Sequence, residues 1–351
     1  MWQCLKKYGK MIRTDIKSLN LEQLTEFVVS LGLKGFNAKQ IYVWLHQKNV
    51  TDFDQMTNLS KQARELLKEK CDITKLEIAQ KQVSVDGTIK YLYRLADGNC
   101  IETVLMRYEH GNSICVSSQV GCRMGCKFCA STQGGKVRDL AASEILSQLY
   151  TTEQDTGERV SNIVLMGIGE PLDNFDNVIS FIGIITSKDG KNISQRNISL
   201  STCGIVPKIY ELAKLKLGIT LSISLHATTN EARKRTMPVS NAYPLEQLMQ
   251  ACRDYTKTTG RRISFEYAMI KGENDTQEDA VRLSKLLQGF INHVNLIPVN
   301  PVDGSPFSQS DARIIKEFQS KLTQLGVNAT IRRRLGQDIS AACGQLRNEH
   351  R

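Results

Sequence analysis

Residues 121–131 read GCRMGCKFCAS and place Cys122, Cys126 and Cys129 in the spacing C-x3-C-x2-C, beside Gly121 and Gly125. Thiolates packed this closely on one loop suit a metal centre rather than one another. A four-iron cluster normally takes four protein thiolates, so three leave one iron open, as catalytic metal sites keep a position open for substrate. An open iron can chelate the amino and carboxylate groups of S-adenosylmethionine. Reduced through the cluster, that ligand breaks homolytically to a 5'-deoxyadenosyl radical, chemistry that no side chain supplies. Structural zinc is the rival reading, but it needs a fourth ligand and usually a second cysteine pair, and no second C-x2-C exists here. Three unrelated core cysteines are the remaining alternative, although such residues are scattered rather than clustered beside two glycines and a lysine.

From Ile114 onward, the chain around this loop repeats strand then helix. The expected strands are ICVSS, NIVLMG, ISLST, ITLSISLH, ISFEYAMI and HVNLIPV, all apolar and rich in β-branched residues. Amphipathic stretches such as SEILSQLY, VPKIYELAKL, PLEQLMQACRDY, EDAVRLSKLL and DARIIKEFQSKL separate them. Six such units predict an α/β fold, a partial (βα)6 barrel with right-handed crossovers. Polar and glycine-containing signatures fall at the carboxyl ends of these strands, where a barrel places its active site. They are the cysteine loop, Gly169-Glu170 within GIGEP, Ser201-Thr202, Ser224-Leu225-His226 and Asn300-Pro301. GIGEP is not a dinucleotide fingerprint, because Leu172 occupies the last glycine position. Glu170 is better suited to hold an ammonium group. His226 read alone is more often a satisfied structural histidine than a ligand.

Upstream, residues 74–113 alternate apolar and polar between Asp86-Gly87, Asp97-Gly98 and His110-Gly111, the turn signals of an antiparallel meander. Its third strand contains Glu102, which by itself is expected on the solvent face. In the next strand, alternation sets Cys115 and Ser117 on the face opposite Ile114 and Val116. Residues 1–73 read as a small helical module, with Leu21, Leu24, Phe27, Val28 and Leu31 at helical spacing, a second run around Trp44, and Asn58 or Ser60 capping a third. Lys34, Lys39, Lys48, Lys61 and Arg64 of this module are either phosphate contacts or a solvated basic face. Residues 114–330 form the expected barrel, and 331–351 a terminal segment. That segment starts at Arg332, Arg333 and Arg334, read as a charged edge or an RNA contact, and carries Cys343 beside Gly344. From spacing alone, Cys343 is a packed core cysteine or a reactive thiol on a tail.

Composition bounds the class. The chain has 351 residues, 41% hydrophobic and 23% charged, enough for one large domain with an appendage. The opening residues contain no apolar run of signal-peptide length and no later stretch could span a bilayer, so a cytoplasmic protein is expected. Ten cysteines with one tight cluster fit a reducing compartment. A net charge of +10 favours an anionic partner such as nucleic acid.

GCRMGCKFCAS, MGIGEPLDN, STCGIVP, SISLHA, NLIPVNP and DISAACGQL, in this order, together with FDQMTNLS near the amino end, resemble the RlmN family of radical-SAM adenine methyltransferases. The resemblance covers nearly the whole chain. Phe128 fits it too, at the position where radical-SAM loops set an aromatic ring against adenine. The resemblance implies a [4Fe-4S] cluster on Cys122, Cys126 and Cys129, and two molecules of S-adenosylmethionine per turnover. One molecule methylates the Cys343 thiolate. The other provides the radical that takes a hydrogen from that methyl, so that the carbon radical adds to carbon 2 of adenine. By the same resemblance, Glu102 accepts the proton lost from the ring and Cys115 attacks the Cys343 sulfur, leaving a disulfide. Gly169, Glu170, Ser201, Ser224, Leu225, His226 and Asn300 match the family's S-adenosylmethionine contacts. The implied partners are 23S rRNA, tRNA and a flavodoxin-like electron donor, for a monomer without a membrane. The sister carbon 8 methylase is the nearest rival, but Val120 before Gly121 and ASTQGG after the cysteines look like the carbon 2 branch. A non-catalytic RNA-binding iron–sulfur protein is the alternative from another class.

Overall fold

The computed structural model describes residues 13–300, 305–341 and 345. Cys343 and Pro301 therefore lie outside the described residues. A short parallel pair, Thr14–Asp15 (β1) with Cys71–Asp72 (β2), closes the amino-terminal module around three helices, Leu21–Ser30 (α1), Gly35–His46 (α2) and Lys61–Lys70 (α3). Sequence chemistry sets their ends. Asn20 and Gln23 form a reciprocal capping box before α1, and the Ser60 hydroxyl accepts the Ala63 N–H at 3.2 Å to start α3.

The meander follows as Glu77–Val83 (β3), Ile89–Arg94 (β4), Cys100–Met106 (β5) and Asn112–Cys115 (β6). Gly87, Gly98 and Gly111 all take positive φ at its turns. A hairpin of Gln119–Gly121 (β7) and Lys136–Asp139 (β8) then carries the cysteine loop. Next come Ala142–Thr156 (α4), Val160–Leu165 (β9), Phe175–Thr186 (α5), Ile198–Thr202 (β10), Val206–Lys214 (α6) and Thr220–Ser224 (β11). Asn230–Thr236 (α7), Leu245–Thr259 (α8), Ile263–Met269 (β12), Gln277–Leu286 (α9), Asn292–Pro298 (β13), Ala312–Gln324 (α10) and Ala329–Ile331 (β14) complete the described chain.

Ten strands form one sheet in the order β14-β13-β12-β11-β10-β9-β6-β5-β4-β3. The strands from β6 to β14 are parallel, and β5, β4 and β3 run antiparallel beyond β6. This is the expected partial barrel, with β14 as a seventh parallel strand on its edge and the meander continuous with it. Parallel strands covered on both faces need near-continuous apolar runs; accordingly all seven residues of β12 are buried. The expectation for Glu102 fails because β5, although antiparallel, is also covered on both faces. β5 is buried along its whole length, and Glu102, only 8% exposed, is held by the Lys90 ammonium at 3.3 Å.

The amino-terminal module docks on α4 through buried polar contacts. Lys17 Nζ donates to the Thr74 carbonyl at 2.6 Å and to Ser147 Oγ at 3.1 Å, and His46 Nδ1 lies 3.0 Å from the Tyr150 hydroxyl. Of the basic residues read as phosphate contacts or a solvated face, Lys39 pairs with Asp189 at 3.1 Å and Lys48 sits over the Trp44 ring at 3.5 Å.

Candidate active site

Two glycines bring the cysteine loop and the GIGEP turn together. Gly121 has φ +72°, and a Cβ there would come within 1.9 Å of the Gly135 carbonyl oxygen, so the β7–β8 hairpin closes only with glycine at that point. Gly169 has φ +108°, and its Cβ would strike Gln119 at 2.7 Å. Gln119 in turn receives the Glu170 N–H at 2.9 Å and donates to Asp173 at 2.9 Å. Asp173 also takes Arg123 and Lys136, which staples both sides of the hairpin to the turn. Inside the loop, Cys122 N–H donates to Gly135 O at 3.0 Å and Cys129 N–H to Cys126 O at 3.1 Å.

The three cysteines line one cavity with Phe128, Gly169, Glu170, Ser201, Ser224, His226 and Asn300. The strand-end signatures therefore do meet at one mouth. Leu225 is the exception, because its side chain is buried in the main core and its carbonyl accepts Arg233 Nε at 3.2 Å. Among the described residues, no three His, Cys, Asp or Glu side chains converge as needed to grip a single ion. A multi-iron cluster asks for a wider arrangement in which each thiolate takes its own iron. Burial pushes the Cys122 thiol up to about 12, and burial followed by the neighbouring Cys129 and Cys122 pushes Cys126 well up. Thiols raised in this way, facing one cavity with Cys129 beside them, are stable as thiolates only with cationic metal among them, so the donor set fits a cluster.

Glu170 is 4% exposed, and burial raises its pKa against the pull of its hydrogen bonds. Its carboxylate accepts from Cys203 N–H at 2.7 Å and Leu172 N–H at 3.0 Å. His226 takes a left-handed backbone, φ +55°. Its Nδ1 accepts the Ala268 N–H at 2.9 Å, which fixes the neutral tautomer with the proton on Nε2. Burial, and then Arg233, hold its pKa down at about 3, and its ring meets Phe128 edge-on at 4.9 Å.

A second cavity adjoins the first and shares Met166, Ile297, Asn300 and Arg332 with it. Cys115, Val104, Met106, Leu335 and Ala341 line it. Glu102 lies outside both linings, on the same strand face as Val104, which pairs with Cys115. Arg332 is no solvated edge residue. Its guanidinium turns inward to Met166 Sδ at 3.6 Å and stands 4.0 Å from Glu266.

Sequence reasoning missed Glu266 and Arg233. A carboxylate inside the apolar run ISFEYAMI was the available signal, since a charge on a doubly covered strand needs partners. Glu266 finds Asn295 at 2.7 Å and Ser264 at 3.3 Å, and burial raises its pKa. Arg233 offered no signal, because NEARKRT reads as a solvated helix. It is fully buried, and it donates to the carbonyls of Cys203 at 2.6 Å, Ser224 at 3.2 Å and Leu225, and to Ser240 Oγ at 2.9 Å. It thereby ties the ends of β10 and β11 beneath the cavity. Arg233→Met removes the donor shared by three interior carbonyls and is expected to destabilise the protein by about 3 kcal/mol, read as a lower urea midpoint at unchanged slope.

The comparisons with known proteins agree with this geometry. Residues 14–73 match the family profile of the ribosomal RNA large subunit methyltransferase N-terminal domain, and residues 116–284 that of the radical SAM superfamily. A Lachnospira eligens protein named "Probable dual-specificity RNA methyltransferase RlmN" is 55% identical over 338 residues, 96% of this chain and 97% of that protein. A Clostridium novyi protein of the same name is 51% identical over 96% of this chain and 98% of its own length. The crystal structure of a radical SAM methyltransferase from Sphaerobacter thermophilus superposes with a TM-score of 0.92 at 40% identity, covering 96% of this chain and all of that one. With this identity running through both the helical module and the thiol-lined barrel, the chain belongs to the RlmN family of radical-SAM RNA methyltransferases.

Proposed function

We propose that this enzyme methylates carbon 2 of an adenosine in 23S rRNA and of the adenosine 3' to the anticodon in tRNA, through a methyl group carried on Cys343. One observation carries the reading: the cavity lined by Cys122, Cys126 and Cys129 shares a wall with the cavity lined by Cys115 and Ala341. Cofactor and carrier chemistry thus adjoin. Cys122, Cys126 and Cys129 would hold a [4Fe-4S] cluster, and Gly169, Glu170, Ser201, Ser224, the Leu225 backbone, His226 and Asn300 would hold S-adenosylmethionine. When bound, these cofactors supply the one-electron chemistry that activates the carried methyl toward carbon 2, an electron-poor position that no ordinary methyl cation donor modifies.

The chain's own residues supply the rest. His226 presents a neutral Nε2–H donor to the cavity. The Glu170 carboxylate suits a cofactor ammonium, which lowers the cost of its buried charge. The Cys343 thiolate accepts a methyl by polar displacement. Glu102, braced by Lys90, takes the proton that the adenine ring loses. The Cys115 thiolate then attacks the Cys343 sulfur and breaks its bond to the methylene carbon, which takes the electron pair and a proton to become the product methyl, and the resulting disulfide needs two electrons and two protons to reopen.

The test is anaerobic incubation of the enzyme with a low-potential reductant, S-adenosylmethionine and either RNA, followed by nucleoside mass spectrometry. 2-Methyladenosine is expected from both RNAs. 8-Methyladenosine would transfer the chain to the rival branch, and intact cofactor with unmodified RNA would leave a binding protein.

A further inference from the structure

The turn between β3 and β4 grips the segment that follows β14. Gly336 N–H donates to Asp86 Oδ2 at 2.8 Å. Ser84 Oγ donates to Asp338 Oδ1 at 2.5 Å, and Val85 N–H to Asp338 Oδ2 at 3.1 Å. Lys90, already paired with Glu102, reaches the Ser340 carbonyl at 3.5 Å.

The gripping turn is braced from behind. Thr88 N–H donates to Asp86 Oδ1 at 2.9 Å, Ser84 N–H to Thr88 O at 2.8 Å, and Arg107, held by Glu158 at 3.0 Å, bonds the Gly87 carbonyl. The gripped segment closes on itself through Ala341 N–H to Gly336 O at 2.9 Å. Gly336 has φ +63°, and a Cβ there would meet Ala341 at 2.7 Å and Thr88 at 3.0 Å. Beneath it, Leu335, Ile339 and Ala341 pack with Val104, Met106 and Cys115. Burial would raise the Asp86 carboxyl, but the Gly336 and Thr88 donors hold it down at about 2. The Ser84 hydroxyl and Val85 N–H hold Asp338 below the usual carboxylate range. Both are ionised at neutral pH, so the grip rests on charge-assisted hydrogen bonds.

We propose that Ser84, Asp86 and Asp338 are positioning residues for the carrier segment, seating residues 336–341 on the wall that bears Cys115 and so setting the effective concentration at which the Cys343 thiol meets Cys115. This inference rests on the carrier reading of Cys343 given above. A carrier thiol must meet a methyl donor, a base and then a resolving thiol. Hydrogen bonds at a surface turn suit that itinerary, because they orient the segment while Gln337, Asp338 and Ser340 stay exposed.

The test uses the full chain loaded with its cluster, so that the three cluster thiols are occupied. Diamide takes two electrons and two protons from a thiol pair, becoming the hydrazine as the sulfur–sulfur bond forms. Peptide mass spectrometry follows the disulfide between Cys115 and Cys343 over time. Asp338→Asn and Asp86→Asn are each expected to slow its formation about tenfold, because a tethered thiol reacts at a rate set by its effective concentration. Ser84→Thr, which keeps the hydroxyl, should match the wild type, while Ser84→Ala joins the slow group. Iodoacetamide alkylation of Cys343, which needs no positioning, should not slow in any variant. Wild-type rates in both Asn variants and in Ser84→Ala would overturn the positioning role alone. Absence of the disulfide in the wild-type protein would overturn the carrier pair, and the positioning role with it.

Discussion

Cys126→Ala protein is expected to be colourless, with its iron and sulfide falling from about four of each per chain to near zero, and to cleave no S-adenosylmethionine. The size of the effect follows from where the thiol sits. Burial raises the Cys126 thiol, and Cys129, Cys122 and Glu170 raise it further, with Arg233 alone pulling the other way. In the proposed cluster a thiolate there would owe its existence to metal charge, each iron bond being made against that cost. Removing one of three ligands leaves two thiolates for four irons, while the backbone bonds from Cys122 to Gly135 and from Cys129 to Cys126 keep the loop in shape. The loss is therefore chemical rather than conformational. Circular dichroism and the thermal midpoint of the unloaded protein should match those of unloaded wild type. A Cys126→Ala enzyme with full iron content and turnover would remove the cluster assignment.

The barrel was legible because its signals are local. ISLST was expected as a strand and is β10 to the residue, and ITLSISLH contains β11. Each is a run of apolar and β-branched residues that a doubly covered parallel strand requires. The convergence at the mouth followed from topology, since residues at successive strand ends must share one face. What stayed hidden depends on contacts distant in sequence. Glu102 looks like a solvent-facing carboxylate until the position of β5 inside a ten-stranded sheet and its Lys90 partner are known. Arg233 sits among Glu231, Lys234 and Arg235, and nothing in that composition separates the one buried cation from its exposed neighbours. Asp338 and Ser84 are 254 positions apart, so no local pattern joins them. Arg332, Arg333 and Arg334 show the limit of reading runs, because Arg332 turns into both cavities while Arg333 and Arg334 line only the second.

Cys115→Ala is expected to convert the enzyme into a covalent trap for its RNA. In the proposed reaction, methyl transfer to Cys343 does not involve Cys115, and neither does addition of the activated methylene carbon to adenine. Under that proposal Cys115 enters only at release. Cleavage of the bond between the Cys343 sulfur and that carbon needs a nucleophile on sulfur and a base for the ring proton. Glu102 remains, two residues from Val104 on the shared strand face, but the sulfur nucleophile is gone. Alanine fits the site without strain, because Cys115 is buried against Val104, Met106 and Ile168, so the fold should lose no more than about 1 kcal/mol. Product release should fall by two or more orders of magnitude, the scale of losing the nucleophile from a covalent step. The expected signature is a band of protein linked to RNA that survives denaturing washes, contains the Cys343 peptide in mass spectra, and is absent from the double substitution Cys115→Ala, Cys343→Ala. Free methylated RNA released at the wild-type rate by Cys115→Ala would return Cys115 to the role of a packed strand residue, and would require a second thiol elsewhere to open the bridge.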